Sequence, residues 1–187
     1  MKTVEKITGD SGAEPRKFIR GRAWKYGDNV DTDVILPGRW CHLSKPDDIK
    51  VHCFEDLDPG FPDRVKWGDV VVAGDNFGCG SSREIAPLAI KSVGVSLVIA
   101  KSFARIFYRN CINIGLAIMV APDAADEIQQ GDTVEADLGA GTILLPDKKK
   151  TFTSIPFPPF VREIFDKGGL VEYLRDRFKD GIYTGSR

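Results

Sequence analysis

Residues 69–84 read Asp69-Val70-Val71-Val72-Ala73-Gly74-Asp75-Asn76-Phe77-Gly78-Cys79-Gly80-Ser81-Ser82-Arg83-Glu84. The first part is a β-branched apolar run of the kind that fills a buried strand. The second part is a loop punctuated by glycine. Helical character is predicted over residues 82–92, with Pro87 either disturbing the first turn or marking where regular helix begins. Downstream, Leu97–Ala100 is another apolar strand candidate. Ser102 is placed to cap a helix through Asn110, and Gly115 to end it. Ala117–Val120 reads as a third strand. Strand, helix, strand, helix, strand at this spacing predicts an α/β core with parallel pairing.

Working outward, residues 17–24 form a possible first strand, followed by the turn-rich acidic loop Gly27-Asp28-Asn29-Val30-Asp31-Thr32-Asp33. Val34-Ile35-Leu36 is apolar and stops at Pro37-Gly38. Residues 39–46 lack periodicity and read as loop, and Pro46-Asp47-Asp48 starts a short helix running toward Phe54. Beyond Pro122 the pattern changes. Residues 133–138 and 142–145 are short strands joined by Gly139-Ala140-Gly141, a hairpin signal. A third strand is predicted at 151–154 and helices at 160–167 and 170–178, interrupted by Gly168-Gly169. Residues 18–187 therefore read as one α/β domain with a β-rich half, and residues 1–17 as a flexible tail.

The 187-residue chain is long enough to bury a stable core without staples. It is 42% hydrophobic and 28% charged, a globular balance rather than a disordered one. Its net charge of −1 gives no electrostatic reason to seek nucleic acid or an acidic membrane. No apolar run reaches the length that spans a bilayer. The polar N-terminal segment lacks the apolar stretch of a signal peptide, so cytoplasm is the expected compartment. Cys41, Cys53, Cys79 and Cys111 include no C-x-x-C pair, which argues against a metal or cluster site built by this chain alone.

The chemistry concentrates in residues 74–84. Glycines let the backbone approach a ligand closely. A helix start presents unpaired N–H groups and a partial positive charge, both suited to an anion. Ser81 and Ser82 add hydroxyls, and Arg83 adds a planar carboxylate clamp. The loop lies beyond the carboxyl end of a predicted strand, where open α/β sheets place ligands. A purely structural alternative stands beside this one: Ser81 and Glu84 also fit the capping box S-x-x-E, which requires no ligand.

Gly78-Cys79-Gly80-Ser81-Ser82-Arg83-Glu84, followed by Lys101-Ser102-Phe103-Ala104-Arg105-Ile106-Phe107 and Asn110, resembles the C-terminal swivel domain of the aconitase superfamily. The earlier Asp28-Asn29-Val30-Asp31-Thr32-Asp33-Val34-Ile35-Leu36-Pro37-Gly38-Arg39 is similar to the opening loop of its free-standing small subunits, those of the isopropylmalate and homoaconitase types above all. The resemblance implies a compact three-layer β/β/α swivelling domain. It also implies a hydro-lyase, in which a 2-hydroxy acid loses water to an alkene acid and regains it at the neighbouring carbon. A [4Fe-4S] cluster is then supplied by a separate large subunit in a heterodimer or heterotetramer, with no cofactor and no metal on this chain. By the same resemblance Ser81 is the base, Arg83 holds a substrate carboxylate, Ser82 assists, and Asp33 supports the site. Asp33 reads equally well as a turn-forming residue.

The family reads its substrate with the loop after the first motif, and there this sequence departs from the usual pattern. Trp40-Cys41 replaces the family's Tyr-Leu, and His42 falls at the variable position. His42 either binds a carboxylate when protonated or shapes an alkyl pocket when neutral. The substrate expected is 3-isopropylmalate, the leucine-biosynthesis intermediate, or a related alkylmalate. Homoaconitase or substituted-malate dehydratase is the alternative within enzymes, and a non-catalytic anion-binding regulatory module the alternative outside them. Lys101, Arg105 and Arg109, spaced i, i+4, i+8, are read as one basic helix face, solvated or touching the large subunit.

Overall fold

The computed structural model describes residues 18–179. The segment 1–17, expected to be a flexible tail, lies outside the described residues. In chain order the elements are β1 (Phe18–Lys25), α1 (Thr32–Ile35), α2 (Pro46–Lys50), α3 (Phe61–Arg64), β2 (Val70–Ala73), α4 (Ile85–Ser92), β3 (Leu97–Ala100), α5 (Arg105–Ile114), β4 (Ala117–Val120), α6 (Pro122–Glu127), β5 (Thr133–Asp137), β6 (Thr142–Leu145), β7 (Lys150–Thr153), α7 (Pro159–Lys167) and α8 (Leu170–Lys179). The buried apolar runs and the glycine-linked hairpin fall where composition placed them.

Seven strands run in the order β4-β3-β2-β1-β5-β6-β7. β1 to β4 pair in parallel, with Val71 opposite Val98 and Val98 opposite Ile118. β1 also pairs antiparallel with β5, and the hairpin β5-β6-β7 continues antiparallel. β1 therefore belongs to both halves of the sheet.

The alternation of side chains along a strand assigns each half its neighbours. Val71, Ala73, Val98, Ala100 and Ile118 face a core completed by Ala86, Ala89 and Ile90 of α4 and Phe107 and Cys111 of α5. Val70, Val72, Leu97, Ile99 and Met119 face the opposite way, against Val134, Ala136, Ile143 and Leu145 of the antiparallel half. Strands buried on both faces have no polar side to show, which is why β2 and β3 read as continuous apolar runs. The layers are thus antiparallel sheet, parallel sheet and helices, the β/β/α arrangement anticipated above. Asp69, only 4% exposed, ties β1 to the start of β2. It accepts from the Arg22 N–H at 3.1 Å, the Trp24 indole at 2.8 Å and the Lys66 N–H at 2.9 Å.

Three local expectations are corrected. The helix after the glycine loop begins at Ile85, not Ser82, and its N-cap Glu84 makes no side-chain cap bond, so the capping box is not formed. The next helix begins at Arg105 with Ala104 as N-cap. Ser102 faces away from it, accepting from the Asn76 N–H at 2.8 Å and donating to Asp75 at 2.9 Å. Lys101 therefore lies outside the helix and pairs with Asp126 at 2.5 Å, leaving only Arg105 and Arg109 on the exposed helical face.

Candidate functional site

Three loops leave the carboxyl ends of the adjacent parallel strands β1, β2 and β3, and backbone hydrogen bonds knit them together. The Asn29 N–H donates to the Asp75 carbonyl at 2.8 Å, Gly78 to Val30 at 2.7 Å and Thr32 to Cys79 at 2.8 Å. On the other side, Phe77 donates to Ser102 at 3.0 Å and Ala104 to Phe77 at 3.0 Å. The loop from β2 is thus the middle member of a three-loop layer, bridged in parallel at Asp31 to Cys79 and at Phe77 to Phe103.

Phe77 anchors this layer. It is fully buried and meets Phe107 edge-on at 5.3 Å and Phe103 at 6.0 Å. Burial of one such ring stabilises by about 1.5–3 kcal/mol. Gly78 follows with φ +75°, and a Cβ there would sit 2.1 Å from Phe107 Cγ. Only glycine lets the backbone lie on that ring.

Beyond Gly80 the chain rises to the surface. Ser81 and Ser82 are exposed and Arg83 is half-buried. The Ser81 backbone is held from both sides, its N–H donating to Thr32 Oγ1 at 3.0 Å and its carbonyl accepting from the same hydroxyl at 3.3 Å. The Ser82 carbonyl accepts from the buried Asn110 amide at 3.3 Å. Neither serine hydroxyl is engaged in a hydrogen bond among the described residues. The fixed backbone leaves both hydroxyls open to meet a ligand.

Asp33 and Arg83 form an ion pair between Oδ1 and Nη1. The Asp33 carboxylate, with further help from Cys41, raises the Arg83 pKa above its ordinary value. One guanidinium nitrogen is thereby occupied, and the remaining N–H donors of the fork stay available. The turn-forming role belongs to Asp31 instead: its carboxylate caps α1, accepting from the Asp33 N–H at 2.7 Å and the Val34 N–H at 2.9 Å.

His42 stands apart from this group. It is exposed, and its Nδ1 lies 3.0 Å from the Arg39 carbonyl, to which it must donate. Gly38 adjoins the ion pair, where a Cβ would approach Asp33 Oδ1 to 3.1 Å and Arg83 Nη1 to 3.3 Å.

Sequence reasoning missed Thr32 and His52. His52, given no role above, stacks on Trp40 with ring centroids 3.7 Å apart and 12° between planes. The Trp40-Cys41 departure from the family's loop was the signal that pointed to this region. The Cys79 thiol is raised by burial and then by Asp31, which keeps it neutral. Cys53 and Cys111 are buried and raised for the same first reason. Among the described residues no three His, Cys, Asp or Glu side chains gather as metal ligands.

The model of the family described as Aconitase C-terminal domain matches residues 27–123. The 3-isopropylmalate dehydratase small subunit of Halothermothrix orenii is 58% identical over 161 residues, covering 86% of this chain and 98% of that protein. Its counterpart in Methanosarcina mazei is 53% identical over 157 residues, covering 84% and 96%. A crystal structure described as 3-isopropylmalate dehydratase (leuD) from Methanocaldococcus jannaschii superposes with a TM-score of 0.83 at 50% identity, covering 90% of this chain and 99% of that one. The chain belongs to the aconitase C-terminal domain family, among the proteins named 3-isopropylmalate dehydratase small subunit.

Proposed function

We propose that this chain is the small subunit of a hydro-lyase that dehydrates and rehydrates 3-isopropylmalate, or a closely related alkylmalate, in leucine biosynthesis. The observation that carries the reading is the pairing of an open Ser81 hydroxyl with an oriented Arg83 at the carboxyl ends of three parallel strands.

In this reading Ser81 accepts the proton from the carbon next to a substrate carboxylate. Arg83 binds that carboxylate with the donors that Asp33 leaves free, which neutralises charge and makes the adjacent C–H more acidic. Asp33 fixes the plane of the guanidinium, and Ser82 adds a hydroxyl at the rim. A serine alkoxide is costly, and the guanidinium of Arg83, two residues along, is the charge on this chain that would stabilise it. A [4Fe-4S] cluster on a large partner subunit would supply a Lewis acid for the leaving hydroxyl. The dispersed cysteines of this chain fit a cluster held elsewhere. No helix among the described residues is long and apolar enough to cross a membrane. The four free cysteines suit the reducing cytoplasm.

His42 lines the substrate's distinguishing group in this assignment, and the absence of arginine from residues 40–43 favours an alkyl group over a third carboxylate. The test is anaerobic co-purification with an iron–sulfur large subunit, then kcat/KM for 3-isopropylmalate and a homocitrate-type tricarboxylate, with wild type and His42→Val. Preference for 3-isopropylmalate in both proteins is expected. A wild-type preference for the tricarboxylate that disappears in His42→Val overturns the substrate assignment, and no turnover of either acid overturns the reading.

A further inference from the structure

We infer that Glu55, together with Trp40 and His52, forms a clamp that positions the loop 38–44 over the carboxylate-binding arginine, so that Glu55 sets substrate affinity without touching substrate. The inference rests on the function proposed above.

The loop has little structure of its own. It contains a single three-residue 3₁₀ turn, Gly38–Trp40, and such short turns are not self-supporting in water. Its first anchor is at the site, where Gly38 packs beside Asp33 and Arg83. Its second anchor lies in the segment after α2. There the Trp40 indole lies flat on the His52 ring and donates to Glu55 Oε1 at 2.6 Å. His52 Nδ1 sits 2.5 Å from Glu55 Oε2. Arg39 also binds Glu55, and makes a two-pronged bond to Asp56 at 2.6 and 2.9 Å. Both Glu55 oxygens are therefore committed, and every donor but His52 comes from the loop.

This geometry links affinity to residues outside the site. Arg39 and Trp40 are held by Glu55, and Gly38, the residue before them, lies beside Asp33 and Arg83. The Arg39 carbonyl in turn accepts from His42. Releasing the clamp lets residues 39–42 leave the neighbourhood of Arg83 while Ser81, held by Thr32, stays in place. The consequence is a change in KM with little change in kcat, because the base is unmoved.

The experiment uses Glu55→Gln, isosteric and uncharged, with Trp40→Phe as a second variant that removes the indole N–H and part of the ring stacked on His52. Hydrogen exchange of the full chain is followed in peptides covering 38–44, and steady-state kinetics with 3-isopropylmalate are measured in the complex with the large subunit. Exchange in 38–44 should accelerate at least about tenfold, with the strands 70–73 and 97–100 unchanged. KM should rise about fivefold or more, with kcat within about threefold. The inference is overturned if exchange in 38–44 is unaltered in both variants. It is equally overturned if exchange rises while KM stays within about twofold of wild type, or if turnover falls only in proportion to folded protein. A wild-type complex inactive on 3-isopropylmalate would defeat the functional reading instead, and exchange would still decide the clamp.

Discussion

Replacing Gly78 with alanine tests whether the glycine motif is built around Phe107. The residue has φ +75°, where an L side chain costs about 1–2 kcal/mol. Its new Cβ would lie 2.1, 2.4 and 2.6 Å from three atoms of Phe107. Phe107 is 2% exposed and enclosed by Phe77 and Phe103, so the ring has no solvent to swing into. Overpacking of this kind adds about 1–3 kcal/mol, for a total of about 2–5 kcal/mol. Gly131 supplies the control: its φ is +89°, and no atom lies within 4 Å of an added Cβ. Gly131→Ala should therefore cost only the backbone part, about 1–2 kcal/mol. Urea unfolding of the full chain would report both as shifts in midpoint at constant slope. The double variant Gly78→Ala/Phe107→Ala should be less destabilised than the sum of its parts, because the shortened side chain removes the collision. If Gly78→Ala lost no more stability than Gly131→Ala, or if the two changes were additive, the ring-contact argument would be wrong.

Three further outcomes follow from the site. Ser81→Ala should lower kcat of the complex by at least about a hundredfold while KM stays within about tenfold, since a general base acts on the chemical step; turnover near wild type would remove Ser81 from that role. Arg83→Lys should both raise KM for 3-isopropylmalate and slow turnover, because a point charge cannot reproduce a planar fork shared with Asp33; unchanged kinetics would show that Arg83 binds no substrate carboxylate. Stability should fall with acid: the Glu55 and Asp132 carboxyls are held low, with burial opposing ionisation but outweighed by bonds from Trp40, His52 and Arg39 to the first and from Lys148 and the Gln129 N–H to the second. Folded values below the unfolded ones contribute stability that is present above about pH 4 and lost as pH drops through the folded values. Urea midpoints from pH 6 to pH 3 should decline, less steeply in Glu55→Gln, and a flat profile would contradict the assignment.

The sequence by itself determined the elements whose signal is local. A strand buried on both faces must be apolar at every position, so Leu97–Ala100 was legible as written, and Ala117–Val120, buried except at Val120, was legible too. Gly139-Ala140-Gly141 marked the β5–β6 hairpin, and Gly115 ended α5 in the left-handed conformation its position demanded. The motif at 78–84 also marked the candidate site, because glycines, hydroxyls and an arginine in one loop suit an anion, while the base role expected of Ser81 came from the family resemblance. The partners of those residues were another matter. Asp33 and Arg83 are 50 positions apart, and Ser81 and Thr32 are 49. They meet because β1 and β2 are parallel neighbours whose exits lie side by side, a fact of topology and not of either segment. The same cause moved Ser102 from helix cap to loop tie, drawn off by Asp75 and Asn76 across the β2–β3 boundary. The Asx role fell to Asp31 in place of Asp33 through bonds only two and three residues along the chain, and His52 became the floor beneath Trp40 through the path of the connection between β1 and β2. Periodicity and propensity report which face of an element is buried. Which side chain meets which across two loops depends on the sheet order, and only the tertiary structure decides that.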